Sequence, residues 1–167
     1  MTHQTLKDFA VDFETKGVNL YMSLASKTSN LLGKELFYSL AEQEVQHARL
    51  IEKMYIASNI QQLVTNTSDI ETELKEFWEG AQKLNLKKDP GDLSGYELAM
   101  EMEQKSISSY QSFLEKSDSE QERIFLKWVI EEEKKHLDAL RNVYYYLSNT
   151  GDWFQNEESK IWNWMNQ

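Results

Sequence analysis

The feature that most constrains this chain is an internal repeat. ETKGVNLYMSL, from Glu14, aligns with EQKSISSYQSF, from Glu103, so that Glu14/Glu103, Lys16/Lys105, Val18/Ile107, Tyr21/Tyr110 and Ser23/Ser112 recur 89 positions apart. The same offset carries Glu44 onto Glu133, His47 onto His136 and Tyr55 onto Tyr144. In each copy the first Glu precedes a Glu-x-x-His pair by 30 residues, and a polar turn falls midway, at Ser29-Asn30 and Ser117-Asp118. Two antiparallel helices folded at those turns bring the glutamates of each copy to one height.

Apolar periodicity predicts four long helices, over about residues 4–27, 31–58, 94–116 and 119–147. Leu6, Ala10, Phe13, Gly17, Leu20, Tyr21 and Leu24 form the stripe of the first. SGYE at Ser94 reads as a capping box opening the third, and Asp118 or Ser119 as the cap of the fourth, which SNTGD stops at Gly151. One proline, Pro90, and six glycines in 167 residues fit an all-α protein. The stretch 59–93 is too long for a turn, and IETELKEFWEGAQKL, residues 70–84, reads as a short helix within it. A crossover of that length makes the second and third helices parallel. The expected architecture is therefore a four-helix bundle over residues 1–150, built from two repeated hairpins. An aromatic tail, residues 151–167, carries three of the five tryptophans and is expected to pack on the bundle or on a second subunit.

The repeat places charge where a core should be. Glu14 falls between Ala10, Gly17 and Tyr21, and Glu103 between Met100, Ile107 and Tyr110. Glu44 and His47 share a stripe with Phe37, Leu40, Ile51 and Met54, while Glu133 and His136 lie between Val129 and Leu140. Residues i and i+3 differ by about 60° around a helix and about 4.5 Å along it, so both members of a Glu-x-x-His pair can reach one centre. A single such pair is ordinarily a solvated face or a surface ion pair. Four carboxylates on apolar stripes are different, because each costs several kcal/mol to bury unpaired. Two divalent metals offset four glutamates. Glu14, Glu44, His47, Glu103, Glu133 and His136 are thus the candidate metal ligands. Tyr21 and Tyr110, on the same stripes, are expected in the core with a second role in hydrogen bonding to ligands. Glu97, Glu101, Glu131 and Glu132 are expected at the surface, and His3 is given no role.

Composition removes competing functions. With 28 acidic against 18 basic residues, a net charge of −10 argues against nucleic acid and against an anionic membrane surface as partner. No cysteine is present, which excludes disulfides, thiolate zinc sites and iron–sulfur clusters within this chain. The first residues lack a signal-peptide pattern and no apolar run reaches membrane-spanning length, so a cytoplasmic location is expected.

At the six ligand positions, and over nearly all of residues 4–148, the sequence resembles the rubrerythrin branch of the ferritin-like di-iron carboxylate proteins. The resemblance implies a ferritin-like antiparallel four-helix bundle holding two iron ions (Fe2+/Fe3+), with Mn2+ or Zn2+ as substitutes for this donor set. It implies that Glu44 and Glu133 bridge the metals, that Glu14 and Glu103 are terminal, and that His47 and His136 each cap one. The implied activity is reduction of hydrogen peroxide or dioxygen in protection against oxidative stress. Two departures stand out. Full-length rubrerythrins carry a rubredoxin domain; without cysteine, this chain would take electrons from an external donor, a rubredoxin-like protein or reductase. Rubrerythrin peroxidases also carry a further Glu one turn after the third-helix ligand, and that position here is Ser106. Iron binding or storage without turnover, or a structural bundle whose site is non-redox or empty, fits the same six ligands. A homodimer is the expected assembly.

Overall fold

Capping chemistry sets where the helices begin. Helix α1 (Leu6–Lys27) starts after Thr5, whose hydroxyl accepts the Asp8 N–H at 3.1 Å, and α2 (Leu31–Met54) after Asn30, which accepts the Gly33 N–H at 3.1 Å. Two short helices, α3 (Ile60–Val64) and α4 (Ile70–Ala81), lie in the crossover; Asp69 caps α4 through the Thr72 N–H at 3.1 Å. The second hairpin comprises α5 (Ser94–Lys116) and α6 (Glu120–Ser148), and Ser119 is the residue that caps α6, accepting the Glu122 N–H at 3.4 Å. A 3-10 turn, Asn163–Asn166, is the last element among the described residues. The computed structural model describes residues 5–56, 59–65, 67–81, 91–148 and 162–166, and no strand occurs among them. His3, Pro90, Gly151, residues 82–84 and 57–58 lie outside the described residues.

Two local expectations are corrected. SGYE does not form a capping box: Ser94 is already helical, and Asp92 Oδ1 accepts its N–H at 2.9 Å. A carboxylate two residues upstream is the stronger acceptor and leaves the serine free to enter the first turn. The crossover also holds α3, whose five residues are too few to show a period.

The core explains the helix directions. Buried residues gather into two apolar clusters. One contains Tyr21, Leu36, Phe37, Leu40, Ala99, Leu140 and Val143, and the other contains Ala10, Ile51, Met54, Tyr110, Phe125 and Val129. Along α1 the chain runs from the second cluster at Ala10 to the first at Tyr21, and α2 returns from Leu40 to Ile51. Helix α5 runs from Ala99 to Tyr110, in the same direction as α2, and α6 returns from Val129 to Leu140. Helices α2 and α5 are therefore parallel, as the long crossover requires. Between the clusters, each long helix contributes a polar layer. Close approach at the first cluster depends on Gly33: a Cβ there would lie 1.8 Å from the buried Tyr96 hydroxyl.

The described end of the tail sits on the bundle. Trp162 and Met165 are buried in the first cluster, and Asn142 Oδ1 accepts the Trp162 backbone N–H at 2.9 Å. Trp164 stacks on Trp162 with centroids 5.3 Å apart and donates Nε1–H to Glu71 on α4 at 3.2 Å. Among the described residues no helix is long and apolar enough to cross a membrane.

Candidate metal centre

The polar layer between the clusters contains all six candidate ligands. Glu14 on α1, Glu44 and His47 on α2, Glu103 on α5, and Glu133 and His136 on α6 are each 0–2% exposed. His47 Nδ1 lies 3.1 Å from Glu133 Oε1, 3.3 Å from Glu14 Oε2 and 3.9 Å from Glu44 Oε2. His136 Nδ1 lies 3.0 Å from Glu44 Oε1 and 3.6 Å from Glu103 Oε1. The two imidazoles stack nearly parallel, at 7°, with centroids 5.1 Å apart.

Contact is not the same as satisfaction. Glu14 Oε2, Glu44 Oε1, Glu103 Oε2, Glu133 Oε1 and both histidine Nδ1 atoms are buried without a hydrogen-bond partner. Orphaned buried polar atoms are rare in proteins, and six converging on one volume form a donor set. Their ligand atoms fall into two overlapping groups, each within 4.8 Å: Glu14, Glu44, His47 and Glu133, and Glu44, Glu103, Glu133 and His136. Glu44 and Glu133 belong to both groups.

Electrostatics reflects the crowding. Burial, then the charges of Glu133 and Glu14, pushes the Glu44 carboxyl well above the ordinary carboxylate range. Burial, then Glu103 and Glu14, does the same to Glu133, and burial also raises Glu103. Glu14 is lowered: burial works upward, but its close contacts with Glu44, His47 and Tyr110 together outweigh it. Burial alone would depress His47, yet Glu133 and Glu14 raise it to about 10, whereas burial takes His136 down to about 4. Such a cluster holds protons where cations would replace them.

The tyrosines do more than pack. Tyr21 on α1 donates to Glu103 Oε1 on α5, and Tyr110 on α5 donates to Glu14 Oε1 on α1. Each copy of the repeat thus holds the first glutamate of the other. Both phenols are fully buried and pushed well above their ordinary value, first by burial and then by the neighbouring glutamate, so they stay protonated donors.

Sequence reasoning passed over Gln43 and Trp128, and named Gly17 and Ser106 without giving either a contact in this layer. Gln43 is 2% exposed and its Oε1 lies 2.8 Å from His136 Nε2. It lies three residues after Leu40 and four before His47, on the buried face of α2, so its helical spacing was a signal that sequence reasoning missed. Trp128 meets the His47 ring edge-on at 5.2 Å. Gly17 makes room for Glu44, since a Cβ there would lie 3.2 Å from the Glu44 side chain. Its repeat counterpart, Ser106, is fully buried with an unpartnered hydroxyl. Glu97, Glu101 and Glu131 are exposed as expected, but Glu132 is only 4% exposed. An ion pair with Lys135 at 2.8 Å covers it, which an isolated surface reading does not anticipate.

Four carboxylates and two imidazoles are hard-to-borderline donors suited to Fe(II), Mn(II) or Zn(II), and two divalent ions match the four carboxylate charges. The residues present fit a dimetal centre. A family model described as rubrerythrin matches residues 8–144. No curated protein and no solved structure gave a match.

Proposed function

This chain belongs to the rubrerythrin family, and we propose that it is a di-iron oxidoreductase that reduces hydrogen peroxide or dioxygen. The observation that carries the reading is the pair of overlapping ligand groups sharing Glu44 and Glu133, sealed between two apolar clusters. Glu14 and His47 would hold one iron, Glu103 and His136 the other, with Glu44 and Glu133 placed to touch both. When bound, two ferrous ions supply one electron each, and with two protons that reduces one peroxide to two waters.

The chain's own residues do the rest. The two apolar clusters limit water at either end of the layer. Tyr21 and Tyr110 hold the outer carboxylates in place through hydrogen bonds that span the bundle. Gly17 leaves room for the Glu44 side chain, which a Cβ at that position would crowd at 3.2 Å. Re-reduction falls to an external donor, a rubredoxin-like protein or reductase, acting on a homodimer in the cytoplasm.

The test is anaerobic loading with Fe(II) followed by rapid mixing with hydrogen peroxide. Ferric absorption should develop within seconds, consuming one peroxide per two irons. Oxidation no faster than that of free Fe(II) overturns the enzymatic reading and leaves iron binding without turnover.

A further inference from the structure

His136 and His47 occupy equivalent positions in the two copies of the repeat, but the structure does not treat them alike. His136 Nε2 lies 2.8 Å from the buried Gln43 Oε1, which reaches across from α2 to α6. The repeat counterpart of Gln43 is Glu132, whose carboxylate is engaged by Lys135 at 2.8 Å. Among the described residues no hydrogen bond reaches His47 Nε2, and beside its stack on His136 the ring meets the edge of Trp128.

An amide oxygen can only accept, so His136 carries its proton on Nε2 and presents the Nδ1 lone pair to Glu44 and Glu103, at 3.0 and 3.6 Å. A metal binding there need not select among tautomers or ring rotations. His47 has no such restraint. We propose that Gln43 is a positioning residue that fixes His136 for metal binding, and that it makes the Glu103/His136 position the tighter half of the centre. The two metals then load in sequence, with the His136 side first. The proposal rests on the dimetal reading above and deepens it.

The repeat makes the consequence specific. Two identical adjacent sites also bind in two steps through repulsion, but then neither histidine belongs to a particular step. Here it does. Removing a partner that orients a metal-bound histidine typically weakens metal binding about 10–100-fold.

Cobalt(II) titration of the full chain, followed by calorimetry and visible absorption, tests this. Wild type should take up two cobalt ions in two resolved steps, and His47→Ala should lose the weaker one. Gln43→Met, nearly isosteric but without the acceptor, should weaken the tighter step about 10–100-fold. Gln43→Glu, which restores an acceptor, should recover it, an outcome that a purely structural role for Gln43 would not produce. Unchanged binding in Gln43→Met, with wild type taking two ions, overturns the inference alone. Loss of the tighter step in His47→Ala does so as well. A wild type that binds no cobalt overturns the dimetal reading on which the inference stands.

Discussion

Replacing Glu44 by glutamine should shift stability in opposite directions with and without metal. In the metal-free chain the Glu44 carboxyl is buried, pushed up by burial and by Glu133 and Glu14, and its Oε1 has no hydrogen-bond partner. An amide of the same shape carries no charge and can donate to a facing carboxylate. Relieving one unsatisfied buried group contributes about 1–3 kcal/mol. At roughly 2–4 °C per kcal/mol for a domain of this size, the metal-free variant should melt about 2–12 °C above wild type. The metal-loaded proteins should rank the other way. At one hundred times its dissociation constant each metal adds about 2.7 kcal/mol, so two sites add about 5.4 kcal/mol, or about 11–22 °C. Glu44 belongs to both ligand groups, so the variant should lose most of that gain. Thermal melts by circular dichroism with chelator and with excess Mn(II) measure all four values. A variant that melts lower than wild type without metal, yet gains as much from Mn(II), would refute the reasoning.

Other outcomes follow from the same geometry. His47 is raised to about 10 in the folded chain, so its contribution is present below 6.5 and lost as pH climbs toward 10. The raised carboxyls of Glu44 and Glu133 act in the same direction, so metal-free stability in denaturant melts should fall between pH 6.5 and 10; a rise contradicts the cluster's electrostatics. Tyr21→Phe and Tyr110→Phe each delete a buried hydrogen bond to a carboxylate and should each cost about 1.5–3 kcal/mol in urea unfolding. A costless change at either position would mean that its hydroxyl holds nothing. Gly33→Ala drives a methyl into the Tyr96 hydroxyl and should cost about 1–3 kcal/mol, whereas Gly80→Ala, with nothing within 4 Å, should not destabilise.

The long helices and the converging glutamates and histidines were legible because duplication turns weak signals into a joint one. A Glu-x-x-His at Glu44 is unremarkable until Glu133 and His136 repeat it beside apolar neighbours. Helix starts at Thr5, Asn30 and Ser119 follow from single-residue chemistry that a sequence displays directly. What the sequence hid depends on contacts between helices. Gln43 shares the buried face of α2 with Leu36, Leu40 and Leu50, but the partner that satisfies it lies 93 residues away. Glu132, by contrast, shares a face of α6 with Phe125, Val129 and Ala139 and is covered by Lys135 of its own helix, so its acidic side chain masked a buried position. The position of the α5 start is legible in SGYE but its cap is not, because Ser94 and Asp92 both offer one and only geometry chooses between them.

Metal stoichiometry tests the central claim most directly. Chain loaded anaerobically with Fe(II), freed of loose metal and digested for elemental analysis should contain two irons per chain, and Glu133→Ala should contain one or none. Fewer than one iron in wild type, or two retained in Glu133→Ala, would contradict a centre built on Glu14, Glu44, His47, Glu103, Glu133 and His136.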